Sequence, residues 1–155
     1  MDTSSILLGA IIFIACLVPL VLLGIQIKKA SRKLLIPILE EAKKNNSNIS
    51  VHEMTSDVCL AMDEEQKILY YYRKSNTQEE LKTIPLGEID NSKTFIKRKN
   101  ENRTTSTAYT NVNIELYNNA NIVNTLVVFD IEESKQLIPE VMVAEKWNRL
   151  INSKL

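Results

Sequence analysis

Glycine is scarce. The 155 residues hold three, at positions 9, 24 and 87. Only Gly87 lies beyond residue 24, so a glycine-rich loop cradling a nucleotide phosphate is excluded there. Histidine occurs once, as His52. It has no second His or nearby Cys with which to share a metal, and no Ser/Asp arrangement that would make a triad; an exposed position is expected for it. The two cysteines, Cys16 and Cys59, fall in different parts of the chain and build no disulfide framework. That suits a reducing cytoplasm. Excess charge is also absent, since the formal net charge is zero. The total hides an asymmetry: residues 28–46 carry a net +4 and residues 47–155 a net −3. A mildly acidic domain is a poor match for nucleic acid, whose affinity comes largely from phosphate neutralisation. No cofactor, metal site or catalytic residue is expected.

What the chain does have is a long apolar run. Ile6 to Ile25 are twenty residues without a charge. At about 1.5 Å per helical residue they cover about 30 Å, the thickness of a bilayer's hydrocarbon core. A buried soluble helix of that length would show a polar face; this one shows only small residues such as Gly9, Ala15 and Cys16. An export signal is the competing reading. It would begin with basic residues and end at a small-x-small site. Here the start is MDTSS and the run leads into Gln26-Ile27-Lys28-Lys29. A retained transmembrane helix over 6–27 is therefore expected, after a short tail at 1–5.

Flanking charge sets its direction. Lys28, Lys29, Arg32, Lys33, Lys43 and Lys44 follow the run and no basic residue precedes it. The positive-inside rule puts the C-terminal side in the cytoplasm and Met1 outside, in a single-pass protein of the cytoplasmic membrane. Residues 28–49 read as a basic juxtamembrane helix and linker, interrupted by Pro37 and ending in the turn-rich NNSNIS.

Residues 50–155 read as the soluble domain. DVCLAM (57–62), KILYYYR (67–73), ELKTIPL (80–86), SKTFIKRK (92–99), NVNIELY (111–117) and TLVVFDI (125–131) have strand composition or alternation. DEEQ (63–66) and NNAN (118–121) read as turns, and ENRTTST (101–107) as a polar loop. Pro85 marks a strand end or sheet edge. In IPEVMVAEKWNRLI (138–151) apolar residues step by three or four, Pro139 and Glu140 sit early, and Lys146 and Arg149 sit late. That is an amphipathic helix with its dipole complemented, expected to bury Trp147 against the sheet. The fold class is α+β: a transmembrane helix, then an antiparallel sheet or small barrel with one C-terminal helix.

Three stretches, LAMDEEQKILYY (60–71), TIPLGEID (83–90) and AEKWNRLI (144–151), resemble the pleckstrin-homology-like (PH-like) domains of small membrane-anchored bacterial proteins. The resemblance implies a PH-like fold and a non-enzymatic interaction module, for membrane-protein partners or the membrane surface. Lipid-binding members of the wider PH family carry basic residues in their first hairpin loop. The loop read as first here, Asp63-Glu64-Glu65-Gln66, is acidic, which argues against phosphoinositide binding.

The remaining candidates are weighed on the residues alone. Tyr70, Tyr71 and Tyr72 alternate in facing, so core and surface strand positions account for them. The acidic triplet Asp63, Glu64, Glu65 lacks cation-loop spacing and reads as a solvated turn. Lys28, Lys29, Arg32, Lys33, Lys97, Arg98, Lys99 and Arg103 are the candidate membrane-surface contacts, each worth about 1 kcal/mol near anionic lipid. The sheet edge near Pro85 and the loop around 100–107 are candidate partner surfaces. The alternative function is a small barrel that holds an apolar ligand or lipid at the bilayer surface.

Overall fold

The computed structural model describes residues 33–75, 78–98, 109–131 and 138–155. The expected transmembrane helix at 6–27 lies outside the described residues, as do Lys28, Lys29, Arg32, Lys99, Arg103 and the loop 101–107. Among the described residues, no helix is long and apolar enough to cross a membrane. Leu34–Leu155 form one compact unit.

The unit is α+β. Helix α1 (residues 33–44) leads into β1 (Val51–Met54), β2 (Val58–Asp63), β3 (Ile68–Lys74) and β4 (Glu79–Pro85), an antiparallel meander in that spatial order. A one-turn 3-10 helix, Leu86–Glu88, leads to the second sheet, β5 (Asn91–Arg98), β6 (Tyr109–Asn118) and β7 (Asn121–Asp130). Helix α2 (Ile138–Asn152) closes the chain. Of the expected antiparallel sheet or small barrel, the described residues show the sheet form, as two open sheets and no barrel, and the helix expected within the basic segment 28–49 is α1, which packs as part of the compact unit.

The six expected strands appear, but a seventh precedes them. β1 reads VHEM, too short and too polar at Glu53 for alternation to betray it. Its register, Val51 opposite Met62 and Met54 opposite Cys59, makes it an edge strand. The acidic turn at 63–66 therefore joins the second and third strands, not the first two. The loop between β1 and β2 is Thr55-Ser56-Asp57, which carries no basic residue either.

The main core lies between the sheets. Leu60, Met62, Leu69 and Tyr71 from the first sheet meet Val112, Ile114, Leu116, Leu126 and Phe129 from the second, and Ala144, Trp147 and Ile151 of α2 complete it. Trp147 is fully buried, as its helical spacing predicts. Polar groups stitch the layers. The Tyr71 hydroxyl donates to the Val127 carbonyl at 2.9 Å, and Lys82 Nζ to the Thr125 carbonyl at 3.0 Å. Ser92 N donates to Asn152 Oδ1 at 2.9 Å and Ser92 Oγ to Asn148 Oδ1 at 2.7 Å, fixing α2 on β5.

A second cluster explains the tyrosines. Leu34, Ile38 and Ala42 step along one side of α1 and pack on Cys59, Ala61, Tyr70 and Tyr72. The central strands of the first sheet are thereby covered on both faces, and all six residues of β2 are buried, whereas the outer face of edge strand β4 stays exposed. Against the expected mix of core and surface strand positions, all three tyrosines are buried, Tyr71 toward the second sheet and Tyr70 and Tyr72 beneath α1. Pro37 neither ends nor starts the helix, whose hydrogen-bonded turns run through it from 33 to 44.

Candidate functional site

The candidate membrane contacts that can be placed do not form one patch. Lys33 is the first described residue, lies in α1 and is exposed. Lys97 and Arg98 are exposed at the end of β5, where a register shift between them marks a bulge. The Arg98 guanidinium stacks 5.6 Å from the Tyr109 ring centroid, so part of its charge is engaged by the ring. α1 packs on the face of the first sheet that points away from the second, whereas Lys97 follows Lys93 and Phe95 on the outer face of the second. The inter-sheet core separates the two positions.

Around Lys97 the structure builds an open groove of about 690 Å³, lined by Phe95, Lys97, Thr110, Asn111, Asn113, Asp130 and Ile131. Strand alternation puts Phe95 there. Ser92, Thr94 and Ile96 turn toward the core side, which leaves residues 91, 93, 95 and 97 outside. Phe95 is 49% exposed, an aromatic ring among lysines on a solvent face. Register sets Phe95 opposite Asn113, and Asn111 opposite both Lys97 and Asp130. Asn111 Nδ2 donates to Asp130 Oδ2 at 3.3 Å, and Thr110 Oγ1 to the Lys97 carbonyl at 3.2 Å. The groove thus offers an apolar ring, an ammonium, a carboxylate and two strand-borne amides. Such a surface suits binding of a peptide or polar partner.

A second, smaller groove of about 380 Å³ runs between β1 and α2, lined by Glu53, Met142, Val143, Glu145, Lys146 and Arg149. Glu53 anchors it. One carboxylate oxygen accepts from Lys146 Nζ at 2.8 Å and from Trp147 Nε1 at 3.0 Å. The indole N–H of a buried Trp needs such an acceptor, so Glu53 serves packing first. Met142, 68% exposed, is the apolar residue that α2 leaves in water.

The acidic triplet separates into different roles. Asp63 is 2% exposed and its carboxylate accepts from Ser47 Oγ (2.7 Å), Asn48 N (2.7 Å), Glu65 N (3.0 Å) and Gln66 N (2.9 Å). The Gln66 N–H leads in holding its pKa below the ordinary carboxylate value, against the opposing effect of burial. Glu64 pairs with Lys154 Nζ at 2.8 Å, tying the turn to the end of α2; that hydrogen bond is the main reason its pKa is lowered. The expectation of a merely solvated turn is corrected at Asp63. Among the described residues no group of His, Cys, Asp and Glu has the arrangement of a metal site, and His52 is exposed on β1.

Two buried titratable groups complete the picture. Cys59, under α1, has its thiol pushed up to about 12 by burial. Glu140, in the first turn of α2, is 1% exposed and no hydrogen-bond partner meets either carboxylate oxygen at ordinary geometry. Burial raises its pKa, its own backbone N–H and, less so, the Ser56 hydroxyl offset that only in part, and the nearby Asp57 charge adds to the rise.

Both grooves went unnoticed in the sequence, although each left a trace. Phe95 breaks the polar side of an alternating strand, and Met142 breaks the polar side of α2. Of the expected partner surfaces, Pro85 is the exposed last residue of edge strand β4, and the loop around 100–107 lies outside the described residues. Comparison with family models, with curated proteins and with solved structures finds no match to this chain.

Proposed function

We propose that the chain is a single-pass protein of the cytoplasmic membrane, with Met1 outside, whose C-terminal part is a PH-like, non-enzymatic interaction module on the cytoplasmic surface. The observation that carries it is a covalent juxtaposition. A run of twenty uncharged residues, Ile6 to Ile25, and a basic collar, Lys28 to Lys33, lead directly into a compact unit that begins at Leu34. An anchor joined this closely confines the module to a thin layer at the membrane and raises its effective concentration toward membrane-protein partners. The PH-like reading is supported by the order of elements: a four-stranded meander, a three-stranded meander, then a helix packed on the second sheet. The Phe95–Lys97 groove is the partner surface favoured here, because it joins an exposed aromatic to charges of both signs, Lys97 and Asp130, and to two amides.

An apolar ligand held inside a barrel finds less support, since side chains from both sheets and Trp147 fill the space between them.

Protease accessibility tests the proposal. With a C-terminal tag, the domain should be digested in inverted vesicles and protected in sealed spheroplasts, and the intact mass in membranes should include the N-terminal run. Digestion in spheroplasts, or a mass beginning after the run, would overturn it. Partner capture on membranes with Phe95→Ser and Lys97→Glu should lose what the unaltered chain retains; equal capture would remove the groove from the reading.

A further inference from the structure

Helix α1 has more apolar surface than the sheet uses. Leu34, Ile38 and Ala42 account for the contact with Cys59, Ala61, Tyr70 and Tyr72. A second stripe lies beside the first: Ile36 is 51% and Leu39 41% exposed. Spacing of three and four puts exposed Lys43 in line with them, and exposed Lys33 lies one turn before Ile36. Exposed Glu40 lies on the same flank, four residues after Ile36, so the charges around the two bare aliphatic side chains are two lysines and one carboxylate. Bare aliphatic side chains with lysines at either end are the pattern of a helix flank that lies in a lipid interface, with the lysine stems reaching the head groups.

Chain length supplies the occupant. Seven residues separate Ile25, the end of the apolar run, from Lys33, and three of them are Lys28, Lys29 and Arg32. Fully extended, that link reaches at most about 28 Å, and as helix about 12 Å. A domain tethered so briefly to a membrane span keeps α1 within reach of the head-group layer. We propose that the Ile36–Leu39 flank of α1 docks into the anionic head-group interface of the membrane that anchors the chain. The first sheet then faces the bilayer and the outer face of the second sheet, with its Phe95–Lys97 groove, faces away. This rests on the anchoring reading above and adds an orientation to it. Lys97 and Arg98 would then serve a partner rather than lipid.

Fluorescent labels on single cysteines test it in the full-length chain. Cys16→Ala removes the one other thiol expected to react, because Cys59 is buried and its pKa is about 12. An environment-sensitive dye is placed at Ile36→Cys, Leu39→Cys, Phe95→Cys, Met142→Cys or, as the anchor control, Leu17→Cys. The chains are reconstituted in vesicles of phosphatidylcholine with phosphatidylglycerol, with and without lipids that carry a quencher. Dyes at 36 and 39 should emit blue-shifted and be quenched several-fold more than dyes at 95 and 142. Unquenched dyes at 36 and 39 beside a quenched dye at 17 would overturn the docking and leave the anchor standing. An unquenched dye at 17 would overturn both. Blue-shifted emission at 36 and 39 that the quenching lipids do not touch would mean that protein, such as a second copy of the chain, covers the flank, and would also overturn the docking.

Discussion

Ile38→Ala asks whether α1 belongs to the domain or merely leads to it. Ile38 is fully buried against the first sheet beside Cys59 and Tyr70. The substitution removes three carbon groups. Lost transfer free energy is roughly 2.4 kcal/mol at about 0.8 kcal/mol each, and a residual cavity brings the cost to about 2–4 kcal/mol. Two signals report it. Trp147, the sole tryptophan, sits in the other cluster, so its fluorescence reads unfolding of the inter-sheet core in detergent-solubilised chain. The midpoint should fall by several degrees. Cys59 reads the α1 layer. In the Cys16→Ala background, alkylation of the native chain requires α1 to lift, and 2–4 kcal/mol corresponds to roughly 30- to 1,000-fold faster labelling where opening is in rapid equilibrium. Ile36→Ala, on the outer flank, should change either readout by about 0.5 kcal/mol or less in detergent. Equal effects from the two substitutions, or an unchanged Trp147 transition with Ile38→Ala, would refute the claim that α1 is part of the fold.

Three further outcomes follow from single side chains. Asp63→Asn should cost about 2–4 kcal/mol at neutral pH, because an amide puts a donor among groups that donate to the carboxylate. Asp63 has a lowered folded pKa, so its contribution is present above the unfolded value near 4 and is lost as pH falls through the folded value; urea titrations of the two chains should converge in acid. Glu140→Gln should stabilise by about 1–2 kcal/mol at pH 7, after the lost helix-dipole benefit, and match the parent near pH 4. The sign is the reverse of that for Asp63: a raised folded pKa means stability present below about 4.5 and lost as pH rises through the folded value, so a Gln variant less stable at pH 7 would refute it. Ala120→Gly should add about 1 kcal/mol in thermal melts. Asn119 and Ala120 form the two-residue β6–β7 turn with φ of 48° and 65°, where Gly is favoured and Ala is strained; no gain in melting temperature would count against the turn.

Local pattern alone determined a good deal about this chain. Alternation in NVNIELY and the aliphatic run in TLVVFDI marked β6 and β7, NNAN marked their turn, and the three- and four-residue steps around Trp147 marked α2 and its buried side. These are readable because the period of burial equals the period of the backbone. The charge asymmetry about Ile6–Ile25 is likewise written in the chain itself. Other features depend on what arrives from far away in sequence. β1 hides because its core-side Glu53 is polar, and only Trp147 and Lys146, more than ninety residues later, satisfy it. Alternation in Tyr70, Tyr71 and Tyr72 implies two faces, and only α1, folded over Tyr70 and Tyr72, makes both of them buried. Asp63 looked like one acid in a solvated turn until Ser47 and Asn48 closed on it. Whether seven strands close into a barrel or remain two sheets is a matter of edge pairing, and no single strand encodes it. The grooves at Phe95 and Met142 arise in the same way, where elements distant in sequence leave space between them, so only the tertiary structure could assemble them.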